Sequence, residues 1–223
     1  MTTDAMRTVV LPGVLRPPSD ARLLIEVMRE RGFARDASVL DVFTGSGVLA
    51  VAAALARARD VTAVDIARRA VLNVRLNAAL NRTRISAMRG DLFAPVGDTR
   101  FDLILANPPY IPSETDELPD HGAARAWDAG VDGRALLDRL CREAPARLAP
   151  GGRLLLVQSD MAGERATLDL LGASGLRAAV LARRTGPLGP IVEARAGMLE
   201  RRGILEPGQR SEELLVISGS RPL

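Results

Sequence analysis

Five short apolar runs, each closing on a turn and each separated from the next by a stretch of helical spacing, restrict this chain of 223 residues to a parallel sheet wrapped by helices on both faces. The strands expected are 38–43, 61–64, 85–88, 101–106 and 153–158, with helices over 20–31, 46–59, 67–80, 133–148 and 162–171. Pro150 followed by Gly151-Gly152 marks the stop before the fifth strand. The alternation then breaks. Residues 176–182 and 213–217 read as strands around a helix over 191–201, which predicts an antiparallel pair at one edge of a mostly parallel seven-stranded α/β sheet.

The length suits a single core, and the expected organisation is one domain over 20–223 preceded by a segment, 1–19, that contributes to the site. The first apolar run is broken by Pro12, Gly13, Arg16, Pro17 and Pro18, and no uncharged apolar stretch is long enough to cross a bilayer. Cys141 is the only cysteine and His121 the only histidine, which removes a disulfide framework and leaves no cluster for a metal, so no metal site is expected. A reducing cytoplasm fits this usage. All 30 basic residues are Arg, and the +3 net charge lies entirely in residues 176–223, which hold 8 Arg against 5 acids. Such a patch would meet RNA, an acidic protein or only solvent.

The polar residues at the strand ends carry the chemistry. Asp41-Val42-Phe43-Thr44-Gly45-Ser46-Gly47 closes the first strand in a glycine-rich turn that opens a helix, an arrangement suited to a nucleoside cofactor because glycine permits close backbone approach and the helix start offers free N–H groups. Asp65 ends the second strand, where a carboxylate can accept both ribose hydroxyls. These features alone serve NAD and S-adenosylmethionine equally. Asp41 favours the latter, since it would repel a pyrophosphate and attract an ammonium. Asp91, in Gly90-Asp91-Leu92-Phe93, could accept from an adenine amine while Leu92 or Phe93 packs the ring. Any one of these acids could instead be a turn or helix-cap residue, but Asp41, Asp65, Asp91 and Asn107 close four consecutive strands. The expected cofactor contacts are Asp41, Thr44, Gly45, Gly47, Asp65, Ile66, Asp91, Leu92 and Asn107.

Asn107-Pro108-Pro109-Tyr110 follows the fourth run. The two prolines hold the Asn107 amide and the Pro108 carbonyl in extended geometry, giving two acceptors for the hydrogens of a substrate NH2 group, beside the aromatic face of Tyr110. Asn107, Pro108 and Tyr110 are therefore the expected catalytic residues, with Pro109 and Tyr110 against the substrate, and methyl transfer to a planar nitrogen is the expected reaction.

These motifs together resemble the class I S-adenosylmethionine-dependent methyltransferases of the Asn-Pro-Pro-Tyr branch. Over nearly its full length the chain is similar to the short, HemK2/Mtq2-type members of the HemK-related protein glutamine methyltransferases. Further segments carry the likeness. They are Val14-Leu15-Arg16-Pro17-Pro18-Ser19-Asp20, the loop Ala126-Trp127-Asp128-Ala129-Gly130, and Gly189-Pro190-Ile191 with Glu200-Arg201-Arg202-Gly203. The resemblance implies a Rossmann-like fold, methylation of the glutamine in the Gly-Gly-Gln loop of a translation release factor, and substrate contacts from Asp20 and Trp127. It also brings in a small zinc-binding subunit, which covers an apolar sheet edge in eukaryotic relatives. The family loop commonly reads Trp-Ala-Gly-Gly, so Asp128 is a departure, and the helical N-terminal domain of the longer bacterial enzymes is missing.

The same four residues would equally hold an adenine amino group of RNA or DNA, or the nitrogen of a small metabolite. The small C-terminal charge excess and the lack of a target-recognition region weigh against nucleic acid. A cofactor-binding scaffold without catalysis would be marked by an altered Asn107 or Gly45-Ser46-Gly47, and neither is altered.

Overall fold

The apolar runs pair into one sheet in the computed structural model, which describes residues 6–15, 19–120 and 122–223. Arg16, Pro17, Pro18 and His121, singled out above, lie outside the described residues. The strands are β1 (Ser38–Val42), β2 (Asp60–Asp65), β3 (Ser86–Arg89), β4 (Phe101–Ala106), β5 (Leu148–Ser159), β6 (Arg177–Pro187) and β7 (Ser211–Ser220). They lie in the order β3-β2-β1-β4-β5-β7-β6. β1 to β5 run parallel, and β7 is antiparallel to both β5 and β6, as the pattern predicted. The order reverses between β1 and β4, which opens a crevice at their carboxyl ends where open sheets take ligands.

The helices are α1 (Ser19–Glu30), α2 (Val48–Leu55), α3 (Arg68–Leu80), α4 (Ala135–Arg147), α5 (Glu164–Ala173), α6 (Pro190–Ala194) and α7 (Ala196–Arg201). Alternate strand residues sort the core into two layers. Val39, Leu103, Leu105, Leu155 and Val157 pack under α1, α2 and α3, whereas Leu40, Val42, Ile104, Leu154 and Leu156 pack under α4 and α5. A third, smaller cluster of Leu188, Val192, Ala196, Leu199 and Leu205 joins α6 and α7 beside the sheet.

Several boundaries differ from those expected, each for a local reason. β1 stops at Val42 because Phe43 turns into the left-handed region, φ 57°. α2 is shorter than 46–59. Gly47 caps its start at φ 81°, and Arg57 at φ 67° turns the chain back toward β2. The helix expected over 191–201 breaks at Arg195 into α6 and α7. β6 and β7 run past their apolar stretches because charged residues continue the ladder, Arg183 bridging to Glu213 and Glu164 at 2.7 Å each. β5 begins at Leu148 rather than Arg153. Phe101 pairs with Leu148 and Leu103 with Arg153, so the intervening residues bulge out of the ladder.

Gly152 is where this bulge folds back on itself. A Cβ there would stand 2.8 Å from the Ala149 carbonyl and 2.9 Å from that of Phe101, both backbone atoms, whereas one on Gly172 in α5 would meet nothing within 4 Å. Gly152→Ala is therefore expected to destabilise the chain by about 2 kcal/mol. Gly172→Ala should stabilise it by about 0.5–1 kcal/mol. Urea unfolding midpoints of the two variants, compared with the parent, check both signs.

Candidate active site

Asp41 is fully buried at the end of β1, on the face covered by α2. Its Oδ2 accepts from the Thr44 hydroxyl at 2.5 Å and from the Ala50 N–H of α2 at 3.0 Å, which draws the glycine loop around the carboxylate. Its Oδ1 is buried with no hydrogen-bond partner. Burial pushes the acid up to about 7, against the lowering effect of those two bonds. A buried oxygen without a donor, at the end of the strand that borders the crevice, is a place for an ammonium.

Asp65 holds the other side of the loop. Its two oxygens accept from Gly45 N–H at 2.9 Å and Ala67 N–H at 2.8 Å, so one carboxylate joins the glycine turn to the start of α3. Burial raises its pKa, and these N–H groups and the charge of Arg125 lower it. Arg125 belongs to the loop after β4, which brings its charge within electrostatic reach of Asp65. Gly47 must be glycine, since at φ 81° a Cβ would lie 2.9 Å from Val74 Cγ2 and 3.0 Å from Val74 Cα. Of the remaining expected cofactor residues, Leu92 is buried and Ile66 is 38% exposed. Asp91 is turned toward α4, paired through both oxygens with Arg139 at 3.1 and 3.3 Å.

The second half of the site gathers residues far apart in the chain. The Tyr110 hydroxyl donates to Asp20 Oδ2 at 2.7 Å, and the Asn107 side chain lies close enough to Asp20 to lower its pKa. Asp20, 3% exposed at the start of α1, is raised by burial and lowered by Tyr110, by Ala21 N–H and by Asn107. Tyr110 is pushed well above its usual value by burial and by Asp20, so it stays a neutral donor. The consequence for Asn107 is directional. An amide that favours the Asp20 carboxylate turns its N–H end toward it, and its carbonyl oxygen is then the end left for other partners.

The Trp127 loop is tied beneath these residues. Ile111 N–H donates to Trp127 O at 2.9 Å, Ala129 N–H to Ile111 O at 3.2 Å, and Ser113 N–H to Gly130 O at 2.9 Å. Asp128, the departure noted in the sequence, is neutralised by Arg195 at 2.6 Å, and Arg195 also holds Pro112 O at 2.9 Å. Arg202 reaches Ser113 O and Val131 O at 3.0 and 2.6 Å. The break between α6 and α7 thus presents Arg195 to this loop.

One site residue escaped the sequence reading. Glu212 is 8% exposed, accepts from Gly189 N–H at 3.0 Å, and lies close enough to Asp20 and Tyr110 to raise the pKa of Tyr110. Its own pKa is raised by burial first, then by Asp160 and Asp20. The available signal was its phase in β7, two residues before Leu214 and four before Val216, on the buried side of the strand.

A glycine loop with an unpartnered buried acid, next to an Asn-Pro-Pro-Tyr turn whose Tyr110 is held by the buried Asp20, is the arrangement of an S-adenosylmethionine-dependent N-methyltransferase, and residues 17–119 match the family model of the Methyltransferase small domain. The chain is 35% identical over 184 residues to a Methanocaldococcus jannaschii chain assigned as a protein N5-glutamine methyltransferase, covering 82% of this chain and 91% of that one. It is 33% identical over 196 residues to the release factor glutamine methyltransferase of Geobacter sulfurreducens, covering 85% and 68%. The fold superposes on the E. cuniculi Mtq2–Trm112 complex, responsible for methylation of the eRF1 translation termination factor, with a TM-score of 0.63 at 20% identity over 94% of this chain and 99% of that one. The chain belongs to the protein N5-glutamine methyltransferase family.

Because the folded pKa of Asp41 lies above its ordinary 3.8, its contribution to stability is full below about pH 4 and is lost as pH rises through about 7. An ammonium at Oδ1 would pull the acid back to its ionised form. Binding of S-adenosylhomocysteine near neutral pH is therefore expected to release a fraction of a proton, read as a dependence of calorimetric enthalpy on buffer ionisation heat. Asp41→Asn should abolish that dependence.

Proposed function

We propose that the chain transfers a methyl group from S-adenosylmethionine to the side-chain amide nitrogen of a glutamine in a protein, the acceptor being the Gly-Gly-Gln loop of a translation release factor. The observation that supports this is the cluster of Asp20, Tyr110 and Asn107 at the end of β4, with Asn107 beside the buried Asp20 that accepts from Tyr110; in this reading the Asn107 and Pro108 carbonyls would accept the two hydrogens of one NH2 group. Two accepted hydrogens place the nitrogen lone pair along the line to the sulfonium methyl, and positioning supplies most of the rate. Tyr110 and Pro109 would pack the amide plane and Trp127 would close the loop over it. In the crevice Asp41 would take the ammonium of the cofactor, Thr44, Gly45 and Gly47 its amino-acid end, Asp65 and Ile66 the ribose, and Leu92 the adenine ring, with its amine left to a remaining lone pair of Asp91, whose oxygens Arg139 already holds. The segment 1–19 would serve the single domain 20–223 as part of this site. Release factors of relatives support the acceptor, and the cytoplasm is where such an acceptor would be met.

Nucleic acid is the weaker reading. Of the eight arginines in residues 176–223, six are engaged within the chain. Their charge is thereby largely taken up by Glu26, Asp128, Glu164, Glu200, Glu213 and backbone carbonyls. Among the described residues no helix is long and apolar enough to cross a membrane.

A small second subunit belongs to the proposal. Leu72, Leu76 and Leu80 stand 58%, 41% and 37% exposed at four-residue spacing on α3, a contiguous apolar stripe. Isolated from its own cells, the chain should run at the mass of a heterodimer, and Leu72→Arg with Leu76→Arg at the mass of a monomer by light scattering.

Asn107→Ala is expected to keep S-adenosylhomocysteine affinity within about threefold while lowering kcat by two orders of magnitude or more. Methyl-labelled cofactor in a cell extract should place label in a protein of release-factor size. Label confined to RNA, DNA or small molecules would remove the glutamine assignment.

A further inference from the structure

Helix α3 carries Asn73 and Asn77 and is capped at its C-terminus by Asn81, all at four-residue spacing, and the first two are 0% and 1% exposed. Buried amides in a helix interior demand partners. They find them in the extended segment 7–11. Asn81 accepts from Arg7 N–H at 2.9 Å and donates to Arg7 O at 2.7 Å. Asn77 accepts from Val9 N–H and donates to Val9 O, both at 2.9 Å. Asn73 accepts from Leu11 N–H at 2.7 Å and donates to Val9 O at 2.9 Å. One helical row farther on, Arg69 donates to Pro12 O at 3.0 Å.

The repeat works because two periods agree. Four helical residues rise about 6.0 Å and two extended residues about 6.6 Å, so each carboxamide meets alternate residues of the segment as an adjacent strand would. The same two amides face the other way as well. Asn73 and Asn77 donate their second hydrogens to the carbonyl of Ser46, at 3.2 and 2.9 Å. Ser46 sits between Gly45 and Gly47, and Val74, between the two asparagines, is the residue against which Gly47 packs. Thus Asn73 and Asn77 each hold the segment with one hand and the cofactor loop with the other.

The path of the chain completes the picture. Residues 7–12 run along α3, which starts just after the carboxyl end of β2, whereas Asp20 meets Tyr110 beyond the carboxyl end of β4. β1 and its glycine loop lie between them in the sheet. We infer that residues 7–15 form a strap whose docking on the Asn73–Asn77–Asn81 ladder holds the Ser46 carbonyl and the glycine loop in the cofactor-binding shape, so that strap docking and cofactor binding strengthen each other. By linkage, the factor by which the docked strap raises cofactor affinity equals the factor by which the cofactor raises strap docking. Asn73 and Asn77 are positioning residues in this scheme. The inference rests on the cofactor assignment and is independent of the acceptor.

Val9 separates the ladder from side-chain packing, because its side chain is 44% exposed while its N–H and C=O serve the middle rungs. Val9→Pro removes the N–H that Asn77 accepts, and Val9→Ala keeps it. S-adenosylhomocysteine affinity by calorimetry is expected to fall about tenfold in Val9→Pro and to stay within about twofold in Val9→Ala. In the parent chain, saturating S-adenosylhomocysteine should slow hydrogen exchange at the Val9 and Leu11 amides, relative to that of Leu80 in α3. Equal affinities of the two variants, or exchange at Val9 and Leu11 indifferent to the ligand, would overturn the inference. Asn81→Ala, at a part-exposed rung that touches the segment and not the loop, gives the same reading without disturbing a buried residue. A parent chain that binds no S-adenosylhomocysteine would overturn the cofactor assignment along with the strap.

Discussion

A carboxylate with no exposed surface at the end of β1 sets the shape of everything around the cofactor crevice. Asp41 gathers Thr44 and the first turn of α2, and Asp65 on the neighbouring strand ties Gly45 to the start of α3. Two acids on adjacent parallel strands therefore hold one loop from both sides, with Gly47 pressed against Val74. The cost of the arrangement is the desolvation of Asp41, whose unpartnered Oδ1 keeps it near neutrality until a cation arrives. A loop shaped by an acid that lacks its counter-ion is complementary to a cationic ligand and hostile to a phosphate.

The acceptor side follows a different rule. Its residues come from the start of α1, the end of β4 and the start of β7, and they meet because the order of the sheet brings those ends together. Asp20 orients Asn107, Tyr110 satisfies Asp20, and Arg195 and Arg202 fasten the loop behind them to α6 and α7. The Arg195–Asp128 pair is half sheltered, with side chains 26% and 14% exposed, so removing either partner would leave a charge with little water to receive it. The C-terminal arginines that looked like a surface patch in the sequence largely hold the chain to itself.

What the sequence made legible was the local part of this design. Strand alternation, the antiparallel tail and the polar residue at each strand end follow from spacing within ten residues or so, and the sheet matches them. Contacts that depend on distant segments were not readable. Asp91 looked free in Gly90-Asp91-Leu92-Phe93, yet Arg139, 48 residues later, takes both its oxygens. The asparagines of α3 take their partners from the N-terminal segment more than 60 residues earlier, which no local spacing announces. Glu212 could have been found from its phase in β7, but which acids it would face is a matter of sheet order, and two bulges had to be known to place it.

The distribution of acids across the crevice bears on the reaction itself. Methyl transfer begins with a positive sulfur and ends with the positive charge on the acceptor nitrogen, so a site that stabilised only the sulfonium would oppose the reaction. Asp41 and Asp65 stand on the cofactor side, whereas Asp20 and Glu212 lie behind Asn107 and Tyr110 on the acceptor side. The field of the second pair grows in importance as charge moves to the nitrogen. In the proposed geometry it would reach that nitrogen through the carbonyls of Asn107 and Pro108, dipoles set before the substrate arrives that need not reorganise as the charge develops. Fixing Asn107 by Asp20, and Asp20 by Tyr110, is thus an electrostatic device as much as a steric one. The methylated amide, far more acidic than a neutral one, would then lose its proton to water, so no general base is asked of the chain.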